Sequence, residues 1–337
     1  MDKGRPHDDK LVFLEIGRAL AALIVVFHHA DQATAYFSDV AHGRYFIWGQ
    51  YGVDFFFVLS GFIIFHVHRA DARGILPARL YAFKRASRIY IPYLPIALTY
   101  MGLLLVFQQG PLSERSWSVW ATITLLPMEK SSALSVAWTL TYELMFYALF
   151  LLSFLSRQLL LAVSVIWSGY LLGVLFGLVD VPDHPVMFAF SNPIILEFFC
   201  GAIAAYFLFR VPPQMRLPIL ASGVALLLAA IVTWTGERAF LGPPLALIVL
   251  GAAMTPYTTS RTSMEFLVFL GAASYAIYLV HSPVVSIVAE ILQPLGLRWP
   301  VFLACVLFGT ALGVLYHVFF ERSAMRWAQR FRPGRVR

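Results

Sequence analysis

The chain has 337 residues, of which 60% are hydrophobic, 15% aromatic and only 13% charged. These proportions exclude a soluble globular domain and a disordered chain, because both classes use far more polar and charged residues. The formal net charge of +7 could suit an acidic partner, but the basic residues follow a membrane orientation, as shown below. We therefore predict no nucleic-acid partner.

Apolar stretches of membrane-spanning length recur along the whole sequence. They predict an all-α polytopic membrane bundle of about ten transmembrane helices, which forms a single domain over residues 1–337. The predicted spans are Leu11–Ala30, Ile47–Val67, Ile89–Phe107, Ala133–Leu155, Leu159–Val179, Val186–Phe209, Leu217–Thr235, Ala239–Met254, Phe266–Ile291 and Val301–Phe320. The eighth is short for a span, and the apolar piece Trp117–Leu126 is predicted to be interfacial or re-entrant.

Lysine and arginine residues set the predicted orientation, since they accumulate in cytoplasmic loops. With a cytoplasmic N-terminus, about 19 of them fall on the inside and about five on the outside. Both termini, about residues 1–10 and 321–337, are then cytoplasmic tails, and the first span ends near the extracytoplasmic surface. A basic cytoplasmic rim suits an anionic ligand or anionic lipid headgroups.

Two ionisable residues of the first span, Arg18 and His29, carry the strongest functional signal, because charges inside a membrane are costly and mark functional sites. Eleven residues of helix rise roughly 16 Å and bring both side chains to one face within about 20°. His28 points about 100° away from that face. A permanent cation deep in the membrane and a titratable imidazole near its far end resemble the two ends of a reaction path.

The second span begins with the run from Gly49 to Phe62, in which Gly52 and Gly61 permit close approach of a neighbouring helix or a ligand. Asp54 lies at a depth similar to that of His29. A membrane carboxylate needs a partner, and His29 or Arg18 would serve. Ser60 either packs between helices or contributes to the site.

A basic stretch from Arg79 to Pro92 precedes the third span. Arg85 and Arg88 are three residues apart on a helix, so both can face one anion, and arginine forks suit phosphate. The alternative is that these charges only hold the loop on the cytoplasmic side.

At the outer end of the fourth span, Glu143 lies about a turn and a half from the interface, near the level of His29. A carboxylate at that depth could orient the imidazole and stabilise its protonated form. Trp138 and Tyr142 either belong to an aromatic belt or accompany Glu143 in the site.

The ninth span carries a polar stripe of Ser274, Tyr278 and His281, which lie along one side of the helix. Such a stripe either lines a cavity or forms hydrogen bonds between helices. Cys200 and Cys305 fall inside spans and predict no disulfide framework, and the histidines lack the spacing of a metal site.

Taken together and in order, these motifs resemble the integral-membrane acyltransferase 3 family, whose members O-acylate sugars. The resemblance covers nearly the whole chain. Its hallmark is a basic residue, ten intervening residues and a histidine, here Arg18 to His29. The other matching stretches are Gly52-Val-Asp54 through Ser60-Gly61-Phe62, Arg85 and Arg88 before Ile-Tyr-Ile-Pro92, Trp138…Glu143…Phe146-Tyr147, and Ser274-Tyr275…Tyr278-Leu-Val-His281.

The resemblance implies acyl transfer from cytosolic acyl-CoA, usually acetyl-CoA, to a carbohydrate hydroxyl on the far side of a bacterial inner membrane. The chain looks most like the stand-alone exopolysaccharide O-acetyltransferases. It departs from the family pattern in having Glu15 where aspartate is frequent, and Glu321-Arg-Ser323 where Glu-x-Pro is usual. It also shows no hydrolase-like extracytoplasmic domain, so the membrane domain is expected to meet its acceptor directly.

The resemblance also implies roles for individual residues. His29 would be the general base, with Glu143 or Asp54 as its partner carboxylate, and the donor would occupy an internal tunnel. The phosphates of the donor would rest on Lys84, Arg85 and Arg88, and its pantetheine arm would pass Arg18. The remaining cavity and oxyanion candidates are Ser60, Tyr142, Ser274, Tyr275, Tyr278 and His281. No metal is expected, and an acyl-enzyme on His29 or Ser60 stays open beside direct transfer.

Two alternatives remain at this stage. The intramembrane charges could form the proton relay of a transporter or flippase. The same transfer chemistry could also act on a lipid or on peptidoglycan instead of an exopolysaccharide.

Overall fold

The structure is a computed structural model that describes residues 12–37, 45–106, 116–233, 237–256 and 262–334. These residues form helices and connecting turns and no β-strand, which confirms the predicted all-α class. The α-helices are α1 (Val12–Phe37), α2 (Tyr51–His68), α3 (Ile75–Val106), α4 (Val119–Thr124), α5 (Trp138–Leu155), α6 (Arg157–Leu175), α7 (Pro185–Phe190), α8 (Leu196–Phe207), α9 (Arg216–Val232), α10 (Gly242–Ala253), α11 (Thr262–Leu292), α12 (Arg298–Tyr316) and α13 (Arg322–Ala328).

Nine helical segments within the described ranges are long and apolar enough to cross a membrane. The chain is therefore a multi-pass membrane protein. Each of the nine overlaps a predicted span, and the predicted eighth span corresponds to a shorter apolar helix, Arg238–Ala253. The piece predicted to be interfacial or re-entrant contains only the six-residue helix α4.

Several helices extend beyond their predicted ends. Helix α3 begins at Ile75, so the basic stretch with Arg85 and Arg88 is part of a 32-residue helix. The last span continues through a π-helical turn, His317–Glu321, into α13. Helix therefore continues into the region predicted as the C-terminal tail, residues 321–337, while the predicted tail of residues 1–10 lies outside the described residues.

Helix α1 packs most extensively against α11 and also contacts α2 and α12. Helix α2 packs along α8, and α10 contacts α8 and α9. Helices α6 and α9 leave most of their surface uncovered, as expected for helices that face lipid. This arrangement surrounds the Arg18–His29 face of α1 with other helices.

A very close helix contact joins α2 to α8 and depends on glycine at both sides. A Cβ on Gly61 would overlap the carbonyl oxygen of Phe198, and a Cβ on Gly201 would overlap that of Val58. Small residues let helix backbones approach closely in membranes. The close approach that the sequence predicts at Gly61 is thus present, with α8 as the neighbour.

Candidate active site

Two histidines from distant parts of the chain meet between α1 and α11. Nδ1 of His29 lies 3.2 Å from Nε2 of His281, and the ring centroids are 4.9 Å apart. His281 is fully buried, and its Nδ1 lies 3.0 Å from the carbonyl oxygen of Ile277. Nδ1 of His29 also lies 3.0 Å from the carbonyl oxygen of Val25.

These contacts fix the tautomers when both rings are neutral. A carbonyl oxygen can only accept, so Nδ1 of His281 carries its proton and donates to Ile277. Nε2 of His281 is then the acceptor, and Nδ1 of His29 donates to it. The basic lone pair of His29 is consequently on Nε2, the ring atom pointing away from Val25.

His28 turns to another side of the helix, as the sequence predicts. Its Nδ1 lies 3.1 Å from the carbonyl oxygen of Phe46, and its ring meets that of His29 edge to face. The two adjacent histidines therefore occupy different environments.

A cavity of about 510 Å³ opens between α1, α2, α3, α5 and α11. Most of the residues that the sequence singles out line it, although they come from five different helices. These lining residues are Arg18, Ser60, Arg85, Arg88, Glu143, Ser274, Tyr275 and Tyr278.

The three arginines of the cavity each have a protein partner. Arg18 pairs with Glu15 at 3.1 Å. Nη2 of Arg85 lies 2.9 Å from Nε2 of His68, and Arg88 lies 5.1 Å above the ring of Tyr275. A guanidinium group has five N–H donors, so none of these arginines is saturated by its partner.

Arg88 also reaches the π-helical turn at the end of α12. Its Nη1 donates to Oε1 of Glu321 at 2.9 Å, and the other oxygen of Glu321 lies 2.7 Å from Nδ1 of His317. Glu321 is only 2% exposed. Glu321, which the sequence places at the start of a tail, thus holds the predicted phosphate ligand Arg88 in place. π-Helical turns recur at functional sites.

Glu143 has partners other than the predicted one. The Ser60 hydroxyl donates to Oε1 of Glu143 at 3.3 Å, and the Tyr147 hydroxyl donates to the same oxygen. The cavity that contains Glu143 does not include His29 among its lining residues. The structure therefore places His281, and not Glu143, beside the general-base candidate.

Tyr278 separates the cavity from the histidine pair. It lines the cavity, and its ring centroid lies 5.7 Å from that of His281. Its hydroxyl donates to the carbonyl oxygen of Val136 at 3.2 Å and lies 3.0 Å from Oγ1 of Thr139. Among the described residues, neither His29 nor His281 lines this cavity, and a continuous tunnel is not observed.

A family model described as an acyltransferase domain matches residues 11–318, a range that contains Arg18, His29, the cavity and His281. The chain belongs to the acyltransferase 3 family. As the sequence motifs predict, it is an O-acyltransferase, and the transporter alternative is thereby set aside.

One curated relative of this acyltransferase 3 protein is the exopolysaccharide production protein ExoZ of Rhizobium meliloti (strain 1021). The two are 30% identical over 320 residues, which cover 90% of this chain and 95% of the relative. No solved structure matches the chain.

Asp54 of this acyltransferase 3 chain has a different partner from those predicted. Both oxygens of the fully buried Asp54 bond Arg238, at 3.0 Å to Nε and 2.6 Å to Nη2. The buried carboxyl of Glu197 lies beside this pair. Asp54 therefore belongs to an ion-pair cluster that links α2, α8 and the start of the Arg238–Ala253 helix, and the predicted contact with His29 or Arg18 is not formed.

The remaining predicted residues lie at the two edges of the site. Lys84 is exposed and does not line the cavity. Tyr142 is buried on the other side of α5 and accepts a hydrogen bond of 3.0 Å from Asn192. Within the described part of the chain, no group of three or more His, Cys, Asp and Glu side chains could hold a metal ion.

Sequence reasoning missed Glu197, Arg238, His317 and the role of Glu321. Glu197 had a usable signal, because a carboxylate inside a predicted span needs an explanation. Arg238 lies in a short outer connection, where an arginine looks like an ordinary loop charge. Its partner is 184 residues away in the chain, and no periodicity connects them.

Proposed function

We propose that the protein moves an acetyl or other short acyl group from cytosolic acyl-CoA to a hydroxyl of an extracytoplasmic carbohydrate, an exopolysaccharide or its lipid-linked repeat unit. It would do so as a single domain of the bacterial inner membrane, with both termini in the cytoplasm. One observation carries the proposal: α1 joins Arg18 in an arginine-lined cavity to His29 in a histidine pair. The relative named for exopolysaccharide production supports the acceptor class.

The donor end of the path is the cavity. Acyl-CoA is strongly anionic, and Arg85 and Arg88 face the same cavity with N–H donors to spare. Lys84 adds a positive charge at the exposed edge of the same helix. Arg18 lies deeper, about 16 Å from His29 along α1, a distance that suits the long pantetheine arm.

The thioester must pass Tyr278 to reach His29. Tyr278 lines the cavity and its ring lies close to that of His281, so displacement of this side chain would bring the thioester toward the histidine pair. Ser274 lies seven residues from His281, about 10 Å along the helix, and its buried hydroxyl has no hydrogen-bond partner among the described residues. That position suits an amide of the pantetheine arm better than the reacting carbonyl.

The chemistry then needs one base. Nε2 of His29 takes the proton of the sugar hydroxyl as the hydroxyl oxygen attacks the thioester carbon. The C–O bond forms, the C–S bond breaks, and the leaving thiolate receives the proton from His29. His281 acts as a positioning residue, because its Nε2 accepts from Nδ1 of His29 and so keeps the lone pair on Nε2. Among the oxyanion candidates, Tyr278 has its ring beside His281, and its hydroxyl would donate to the oxyanion after releasing the carbonyl oxygen of Val136.

The test compares surface glycans of a strain that lacks the gene with those of the same strain complemented by wild-type protein or by His29→Ala. Mass spectrometry is expected to show loss of O-acetyl groups from the exopolysaccharide in the deletion strain, with restoration by wild type only. Loss confined to a lipid or to peptidoglycan would overturn the proposed acceptor. Unchanged acylation of all three classes would overturn the function.

A further inference from the structure

A second large cavity lies on the opposite side of the start of α5 from the arginine-lined cavity. It has a volume of about 920 Å³ and is bounded by residues 121–142 and 181–189. In the predicted topology this is the extracytoplasmic side, where His29 also lies. We call it the outer cavity, and residues that carry the argument below are Glu129, Lys130, Trp138, Tyr142 and Asp183.

The lining of the outer cavity suits a hydroxyl-rich ligand. Glu129, Lys130 and Asp183 are exposed side chains that line the cavity, and none of them forms a hydrogen bond or an ion pair with another described residue. Trp138 and Tyr142 supply aromatic faces, with ring centroids 5.8 Å apart. Carboxylates accept from hydroxyl groups, and aromatic rings cover the apolar C–H faces of a flat ligand.

The outer cavity also adjoins the reaction centre. Ser135 lines it, and the Ser135 hydroxyl lies 2.8 Å from that of Ser282, the residue that follows His281. Trp138 lies under the guanidinium of Arg238 at 5.9 Å. Ser135 thus connects the wall of the outer cavity to the position next to His281 on α11.

The two cavities use alternate faces of the same helix. Thr139 and Glu143 line the arginine-lined cavity, whereas Trp138, Thr141 and Tyr142 line the outer cavity. Donor and acceptor could thus approach the histidine pair from two sides without competing for space.

We propose that the outer cavity is the acceptor subsite, which binds a sugar residue of the glycan through Glu129, Asp183 and the face of Trp138. This inference rests on the proposed function and adds the location of its second substrate. A membrane-embedded lipid acceptor would not need a cavity lined by unpaired charged side chains.

The test uses full-length protein in nanodiscs, radiolabelled acetyl-CoA, and oligosaccharides from the organism's own exopolysaccharide after removal of their ester groups with mild alkali. Asp183→Asn and Glu129→Gln are expected to raise the acceptor KM at least tenfold while the donor KM stays within twofold. The matched control is Asp180→Asn, which removes an exposed carboxylate from the same connection but lies outside the cavity lining. An acceptor KM equal to wild type in both variants would overturn the proposal.

Calorimetric binding of the same oligosaccharide without donor distinguishes failure of the subsite from failure of the function. Binding that is lost in Asp183→Asn but kept in Asp180→Asn supports the subsite even if no acyl transfer is detected, and absence of transfer by wild type would then overturn the function alone. Transfer by wild type with binding unaffected in Asp183→Asn and Glu129→Gln would overturn the subsite alone.

Discussion

Nε2 of His281 lies 3.2 Å from Nδ1 of His29, although 252 residues separate them in the chain. The partner of the general-base candidate is thus another imidazole. A neutral imidazole can fix a tautomer by accepting one hydrogen bond, but it provides no negative charge to balance an imidazolium. Within the proposed mechanism, this favours rapid passage of the proton to the leaving thiolate.

His29 and His28 provide the first prediction. His29→Ala is expected to lower acyl transfer by at least 10³-fold, because the base is removed, whereas His28→Ala should cost less than tenfold. Both rates are measured with purified protein in detergent, and melting temperatures within a few degrees of wild type serve as the control. Equal losses in the two variants would contradict the assignment of His29.

His281 provides a second prediction, which concerns positioning. His281→Ala removes the acceptor of the His29 N–H and is expected to lower kcat about 100-fold, with both KM values nearly unchanged. His281→Gln places an amide oxygen near the former Nε2 and should recover part of the activity. If alanine and glutamine behave alike, or if the KM values rise instead, His281 does not act through His29.

The cavity arginines are expected to bind donor phosphates. Replacing Arg85 and Arg88 with Gln should raise the acyl-CoA KM, with a difference from wild type that shrinks at high salt. Because Arg88→Gln also leaves the buried Glu321 without its cation, the control is Glu321→Gln alone, which removes the same ion pair but keeps both arginines. If the double variant binds acyl-CoA as tightly as wild type at low salt, these arginines do not bind the donor and only set the membrane orientation.

Substitutions of Arg18 test whether the acyl donor passes this residue on its way to His29. Arg18→Lys should keep partial activity since the charge survives while the planar fork is lost. Arg18→Leu should insert well, because an arginine costs roughly 3 kcal/mol inside a membrane, and yet fail in transfer. The control is the double variant Arg18→Leu/Glu15→Gln, because Arg18→Leu alone leaves the Glu15 carboxylate without its partner. A fully active leucine variant would show that the donor takes another route.

The Asp54–Arg238 pair is expected to act on stability. Arg238→Leu leaves a fully buried carboxylate without its cation and should cost about 3–5 kcal/mol. Removing both charges, as Asp54→Asn with Arg238→Gln, should recover much of that loss. Thermal unfolding in detergent measures the effect, and a melting temperature of Arg238→Leu equal to that of wild type would contradict this role.

The sequence predicts the fold and the contents of the arginine-lined cavity well, since both depend on signals that a single helix carries. Span length, the placement of basic residues and the Arg18–His29 spacing are local properties of the chain. Polar residues inside spans point inward because lipid excludes them. Arg18, Arg85, Arg88 and Glu143 accordingly meet in one cavity.

Pairings between helices are the part that the sequence does not predict. Depth in the membrane suggested that Glu143 or Asp54 would meet His29, because all three lie near one level. Rotation of each helix about its own axis decides which side chains touch, and packing against neighbours sets that rotation. Glu143 faces Ser60 and Tyr147, Asp54 faces Arg238, and His281 occupies the place beside His29.

The alternation along the first two turns of α5 has a consequence for how this enzyme can diversify. Neighbouring positions such as Trp138 and Thr139, or Tyr142 and Glu143, line different cavities. The connections 125–135 and 181–185 border only the outer one. Under the proposed assignment of the two cavities, new acceptor preferences would arise by exchange of these two surface segments, while the residues assigned to the thioester are inherited unchanged.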